Sequence, residues 1–85
     1  MNKAERIGTV IQFHRKVAGL TRKELSELAG VGETTIYNVE HGRSVRLDTL
    51  LRLFNALNIT LQLKSPVMTQ FEAEVKSREP ENANR

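Results

Sequence analysis

The 85-residue sequence contains no cysteine. That excludes a disulfide-stapled scaffold and any thiolate metal site. Its two histidines, His14 and His41, cannot close a zinc site between them, so no metal and no cofactor is expected. Proline occurs twice, glycine five times, and aromatic residues make up 5%. The chain is therefore neither collagen-like nor of low complexity. No apolar run approaches the roughly 18 residues that a membrane helix needs. The charged start, Met1 to Arg6, is not followed by a signal-type apolar stretch. These absences point to a soluble, cytoplasmic domain with no membrane partner.

With 39% hydrophobic and 27% charged residues, the sequence is too apolar for full disorder. A chain of this length forms one domain and buries only about 60% of its unfolded surface. Ser26, Ser44, His14 and His41 show no spacing that would assemble a nucleophile, a base and an orienting group. Gly30 and Gly32 read as turn residues, not as a phosphate-cradling loop. No enzymatic activity is expected.

The net charge of +3 is unevenly spread. Residues 1–65 carry ten Lys/Arg against six Asp/Glu, and residues 66–85 carry three against four. A positive folded part suits a polyanion such as nucleic acid.

The periodicity predicts four helices. The first runs from about Lys3 to Ala18, with Ile7, Val10, Ile11, Phe13 and Val17 as its apolar stripe and Gly19 as its stop. The second follows Thr21, an N-cap that forms a capping box with Glu24, flanked by a Leu20–Leu25 staple. Leu25, Leu28 and Ala29 are expected to face inward, and Gly30 ends the helix. The short link Gly30-Val31-Gly32 forces a large crossing angle, with Val31 as the plug.

The third helix covers Glu33 to His41 and stops at Gly42. Ile36, Val39 and Glu40 fall on one side, leaving Thr34, Thr35, Tyr37, Asn38 and His41 outside. Such a face, with amide, hydroxyl and phenol groups and almost no charge, offers the donors and acceptors that base edges need. The fourth helix, Leu47 to Leu57, is apolar over a wide face, and Asn58 suits a left-handed end.

The period then changes. Ile59, Leu61 and Leu63 alternate with Thr60, Gln62 and Lys64, the pattern of a short strand ended by Pro66. A single strand cannot satisfy its own backbone groups. Its expected partner is the same strand of a second copy, related by a two-fold axis. Residues 66–85 read either as a polar, flexible tail or, from Val67, Phe71 and Val75, as a short amphipathic helix that orders on a partner.

The stretch from Thr21 to Arg43 resembles the helix-turn-helix of the Cro/C1 (XRE) family, with Leu25, Ala29, Gly30, Val31, Ile36, Glu40 and Gly42 in register. The resemblance extends over about residues 6–58, through the Leu-rich Leu47–Leu57. Asn58-Ile-Thr-Leu-Gln-Leu-Lys64 is also similar to the HipB-type antitoxin branch, in which a strand after the last helix closes the dimer. The implied fold is an all-α, four- or five-helix, lambda-repressor-like DNA-binding domain over residues 1–65, with a short C-terminal strand pairing across a homodimer.

Three positions depart from the family pattern. Gly32 stands where Ser or Thr usually opens the recognition helix, Arg22 stands where Gln is usual, and Glu33 brings a negative charge near DNA.

The resemblance implies roles for individual residues. Glu33, Thr34, Tyr37 and Asn38 match positions that face the major groove. Asn pairs bidentately with adenine, Thr meets a base or a thymine methyl, and Glu accepts from cytosine N4. Glu33 is equally readable as a favourable charge at a helix N-terminus, and Tyr37 as packing against the second helix. Arg22, Thr35, His41 and Arg43 match phosphate contacts, which fix register without reading sequence. His41 also reads as a plain helix C-terminal residue. Lys23 and Arg46 add charge nearby. Glu40, on an inward face, needs a partner, and the family supplies it from the position of Arg15.

The implied function is a sequence-specific repressor that reads an inverted repeat in double-stranded DNA. The HipB-type likeness further implies an antitoxin that regulates its own operon, partnered by a HipA-like serine/threonine kinase toxin. The alternatives are a stand-alone or phage-type regulator, and a protein-interaction adaptor with no operator.

Overall fold

The computed structural model describes residues 1–78. Five helices follow in order: α1 (Lys3–Val17), α2 (Arg22–Ala29), α3 (Glu33–Glu40), α4 (Leu47–Ala56) and α5 (Met68–Arg78). Among the described residues no β-ladder forms, and no helix is long and apolar enough to cross a membrane.

Local chemistry sets the helix ends. Asn2 caps α1, its Oδ1 accepting the Glu5 N–H at 2.8 Å. Thr21 and Glu24 form the capping box of α2: the Glu24 N–H donates to Thr21 Oγ1 at 3.0 Å, and the Thr21 N–H donates to Glu24 Oε1 at 2.8 Å. α3 and α4 start without a side-chain cap, at Gly32 and Arg46. Each instead carries an acid in its first turn, Glu33 and Asp48, where the helix dipole favours negative charge.

α4 closes in a Schellman motif. Asn58, at φ 58°, donates its N–H to the Asn55 carbonyl at 3.2 Å, and the Ile59 N–H donates to the Phe54 carbonyl at 2.8 Å.

The core comprises Ile11, Leu25, Val31, Ile36, Val39, Leu53 and Phe54. Val31, between α2 and α3, is buried as the plug of the short link. α1 packs on α3, and α2 packs on both α3 and α4. Gly8 is where α1 meets α3: a Cβ there would overlap the Val39 carbonyl oxygen. This close approach draws the two backbones together.

The crossing at Gly8 also corrects the expected stripe of α1. The buried residues are Gly8, Ile11 and Arg15, with Ile7 beside them. Phe13 and Val17 stay 64% and 71% exposed, and Val10 is at the surface too. Two helices in close contact share a narrow seam, so the flanking positions remain outside it.

Leu28, expected inward, is 62% exposed. Leu47 and Leu51 are exposed as well, whereas Leu53 and Phe54 of the same helix are buried, and α4 packs on α2.

Residues 59–65 form neither helix nor strand in the single chain. Ile59 packs against the core, whereas Leu61 and Leu63 are exposed. Where a polar tail was the leading expectation, α5 forms over Met68–Arg78. The remainder of that tail lies outside the described residues.

Candidate nucleic-acid interface

α3 is held by its inward side and displays the other. Ile36, Val39 and Glu40 are buried, whereas Glu33, Thr34, Tyr37 and His41 are exposed and Thr35 and Asn38 half-buried. Glu33, Thr34 and Tyr37, together with Arg22 from α2, line one shallow depression of about 350 Å³. Three candidate base contacts and one candidate phosphate contact therefore share a surface. Asn38 lies one turn from Thr34 along the same helix.

Behind this face stands a buried ion pair. Arg15 Nε donates to Glu40 Oε2 at 2.6 Å and Arg15 Nη2 to Glu40 Oε1 at 3.0 Å. The third arm, Arg15 Nη1, donates to the Leu20 carbonyl at 2.9 Å. Arg22 Nε adds a further bond to Glu40 Oε1 at 3.0 Å. Burial pushes the Glu40 carboxyl up, but the hydrogen bond and charge of Arg15, joined by those of Arg22, outweigh it and hold the group below its ordinary value. Among the described residues no buried side-chain nitrogen or oxygen lacks a hydrogen-bond partner, which a charge at this depth requires.

Arg22 therefore has a role that its sequence position did not reveal. It anchors to Glu40 while its guanidinium lies 5.1 Å from the centroid of the Tyr37 ring. The Tyr37 ring also stacks on His41, with centroids 4.0 Å apart, and the Arg43 guanidinium lies 5.7 Å from it. Tyr37 is the hub of three basic side chains. His41 Nδ1 donates to the Tyr37 carbonyl at 2.7 Å. A carbonyl only accepts, so Nδ1 carries the proton.

Arg43 also bonds Asn38, Nη1 to Oδ1 at 2.7 Å. Sequence reasoning treated these two residues as independent. The signal that links them is Gly42, which closes α3 and turns the chain back over its last turn. Lys23 is exposed in the first turn of α2. Arg46 pairs with Asp48 at 3.3 Å on the open surface, where such pairs contribute little.

The architecture is a capped helix, a tight glycine turn and a second helix with a polar, cation-flanked face. The sequence profile of the helix-turn-helix family, Cro/C1 (XRE) type, matches residues 12–64. This chain belongs to the helix-turn-helix family. No curated protein matches it. The helix-turn-helix is a DNA-binding module of transcription regulators, and in it the second helix of the motif enters the major groove. In this helix-turn-helix protein the motif is α2 and α3.

Proposed function

We propose that this helix-turn-helix protein is a sequence-specific transcriptional repressor that acts in the cytoplasm as a homodimer on an inverted-repeat operator. The exposed face of α3 carries the reading. Glu33, Thr34, Tyr37 and Asn38 present carboxylate, hydroxyl and amide groups at the surface, and base edges are read by such groups. Arg22, Thr35, His41 and Arg43 border that face and suit phosphates.

Residues Ile59, Thr60, Leu61, Gln62 and Leu63, outside any helix, are the proposed dimer strand. Pairing between two copies would give each a ladder partner and set two copies of α3 about 34 Å apart, one DNA turn. The narrower assignment is an antitoxin that represses its own operon and holds a HipA-like serine/threonine kinase toxin. It rests on the likeness of residues 58–64 to HipB-type antitoxins.

Fluorescence-anisotropy titration tests the reading. One duplex comes from upstream of the protein's own gene and a scrambled duplex serves as control, each at two salt concentrations. Tight binding to the native duplex alone supports an autoregulatory repressor. Equal, weak binding to both removes the autoregulatory assignment. No binding at low salt removes the DNA-binding reading and leaves the protein-interaction adaptor.

A further inference from the structure

α3 ends in a Schellman motif. The Gly42 N–H donates to the Val39 carbonyl at 3.0 Å and the Arg43 N–H to the Asn38 carbonyl at 2.9 Å. Gly42 is left-handed, at φ 74°. In this closure the second residue past the cap lies against the third-last residue of the helix. Those two residues are Arg43 and Asn38.

Their side chains complete the contact, with Arg43 Nη1 donating to Asn38 Oδ1 at 2.7 Å. Arginine has donors and no acceptor. The amide must turn its oxygen toward it, and this fixes the amide orientation. The Tyr37 ring, 5.7 Å from the Arg43 guanidinium, holds the arginine from a second side.

We propose that Arg43 is a positioning residue for base recognition: it occupies the Asn38 oxygen and leaves the Asn38 NH₂ group to read the base. This inference rests on the DNA-recognition reading above. An asparagine that pairs with adenine accepts from N6 and donates to N7 at once. Arg43 takes one of the two lone pairs of that oxygen and sets a cationic guanidinium beside the other, which disfavours a second donor such as adenine N6, so Asn38 acts as a donor. The guanine edge offers two acceptors, N7 and O6, and no donor. Asn38 therefore selects guanine over adenine.

The experiment uses the full chain. Sites are selected from a randomised duplex pool, and affinities are then measured for all four base pairs at each position of the selected site. The proteins are wild type, Asn38→Ala, Arg43→Met and the double variant. Arg43 is exposed and Asn38 half-buried, so none of these substitutions reaches the core.

Wild type is expected to prefer guanine at the base pair where Asn38→Ala loses about 5- to 150-fold of discrimination, the equivalent of one good base contact. Arg43→Met is expected to move the preference at that same pair toward adenine. In the double variant no further discrimination is lost there. An Arg43→Met protein that binds every sequence more weakly but keeps the guanine preference overturns the inference and makes Arg43 a phosphate contact alone. So does a wild-type preference for adenine at that pair. A wild-type chain that selects no sequence is a different result, overturning the recognition reading together with this inference.

Discussion

Arg15 and Glu40, 25 positions apart in sequence, meet through two hydrogen bonds of 2.6 and 3.0 Å in a site closed to solvent. The pair ties α1 to the inward side of α3. Removing one member leaves the other charged and buried, which typically costs about 3–5 kcal/mol. Glu40→Ala should lower the melting temperature by more than about 10 °C in a domain of this size. A melt unchanged within about a degree would show that the pair carries no stability.

The same carboxylate makes stability depend on pH. Against the upward push of burial, Glu40 is held below the ordinary carboxylate value in the folded chain by its bonds to Arg15 and Arg22. A depressed carboxyl contributes stability that is present above the unfolded value and lost as pH falls through the folded one. Glu24 is shifted the same way, by the Thr21 backbone N–H and then by the Thr21 hydroxyl. Thermal melts should be flat in this respect above about pH 5 and fall below the unfolded value. In Glu40→Gln the acid limb should flatten. An equally steep limb in the variant would place the linkage elsewhere.

Gly8 is needed for space. Its Cβ would enter the Val39 carbonyl oxygen, a backbone atom that cannot step aside. Gly8→Ala should force α1 away from α3 and cost about 1–3 kcal/mol or more, as overpacking does. Gly32→Ala is the control, since the nearest atom to its added Cβ is Thr35 Oγ1 at 3.6 Å. Chemical denaturation of both variants checks this, and equal midpoints would contradict the close crossing.

What could be read from the sequence was local. The Thr21–Glu24 box and the stops at Gly19, Gly30 and Gly42 depend on neighbours a few residues apart, so their spacing carries them. Val10, Phe13 and Val17 were misplaced because periodicity shows that a face is apolar, not how much of it a partner covers. That extent is set by Gly8 against Val39, a contact between distant segments. The bond from Arg22 to Glu40 went unread because it spans 18 positions, whereas the phosphate role came from the family resemblance. The helix over Met68–Arg78 was the second of two readings, behind a flexible tail, because its composition is largely polar and Val67, Phe71 and Val75 are its main helical signal. At the candidate site, the exposed face of α3 followed from sequence, but the link between Asn38 and Arg43 required the chain reversal at Gly42.

The non-helical stretch after α4 gives the last prediction. Leu63 is 71% exposed, and Leu61 beside it is exposed too. Their side chains hold little of the single chain together, so substitutions there test association rather than folding. Alternate N–H groups of a strand point to opposite edges. Of two adjacent prolines, one therefore removes a ladder donor whichever edge is paired. The variants Leu61→Pro and Gln62→Pro should differ: one should sediment as a monomer at concentrations where the wild type forms the proposed dimer, and the other should remain dimeric. The monomeric variant should also lose the steep binding to a full inverted repeat while keeping the affinity for a half-site. Two variants as dimeric as the wild type would exclude backbone pairing through residues 59–63 as the main interface.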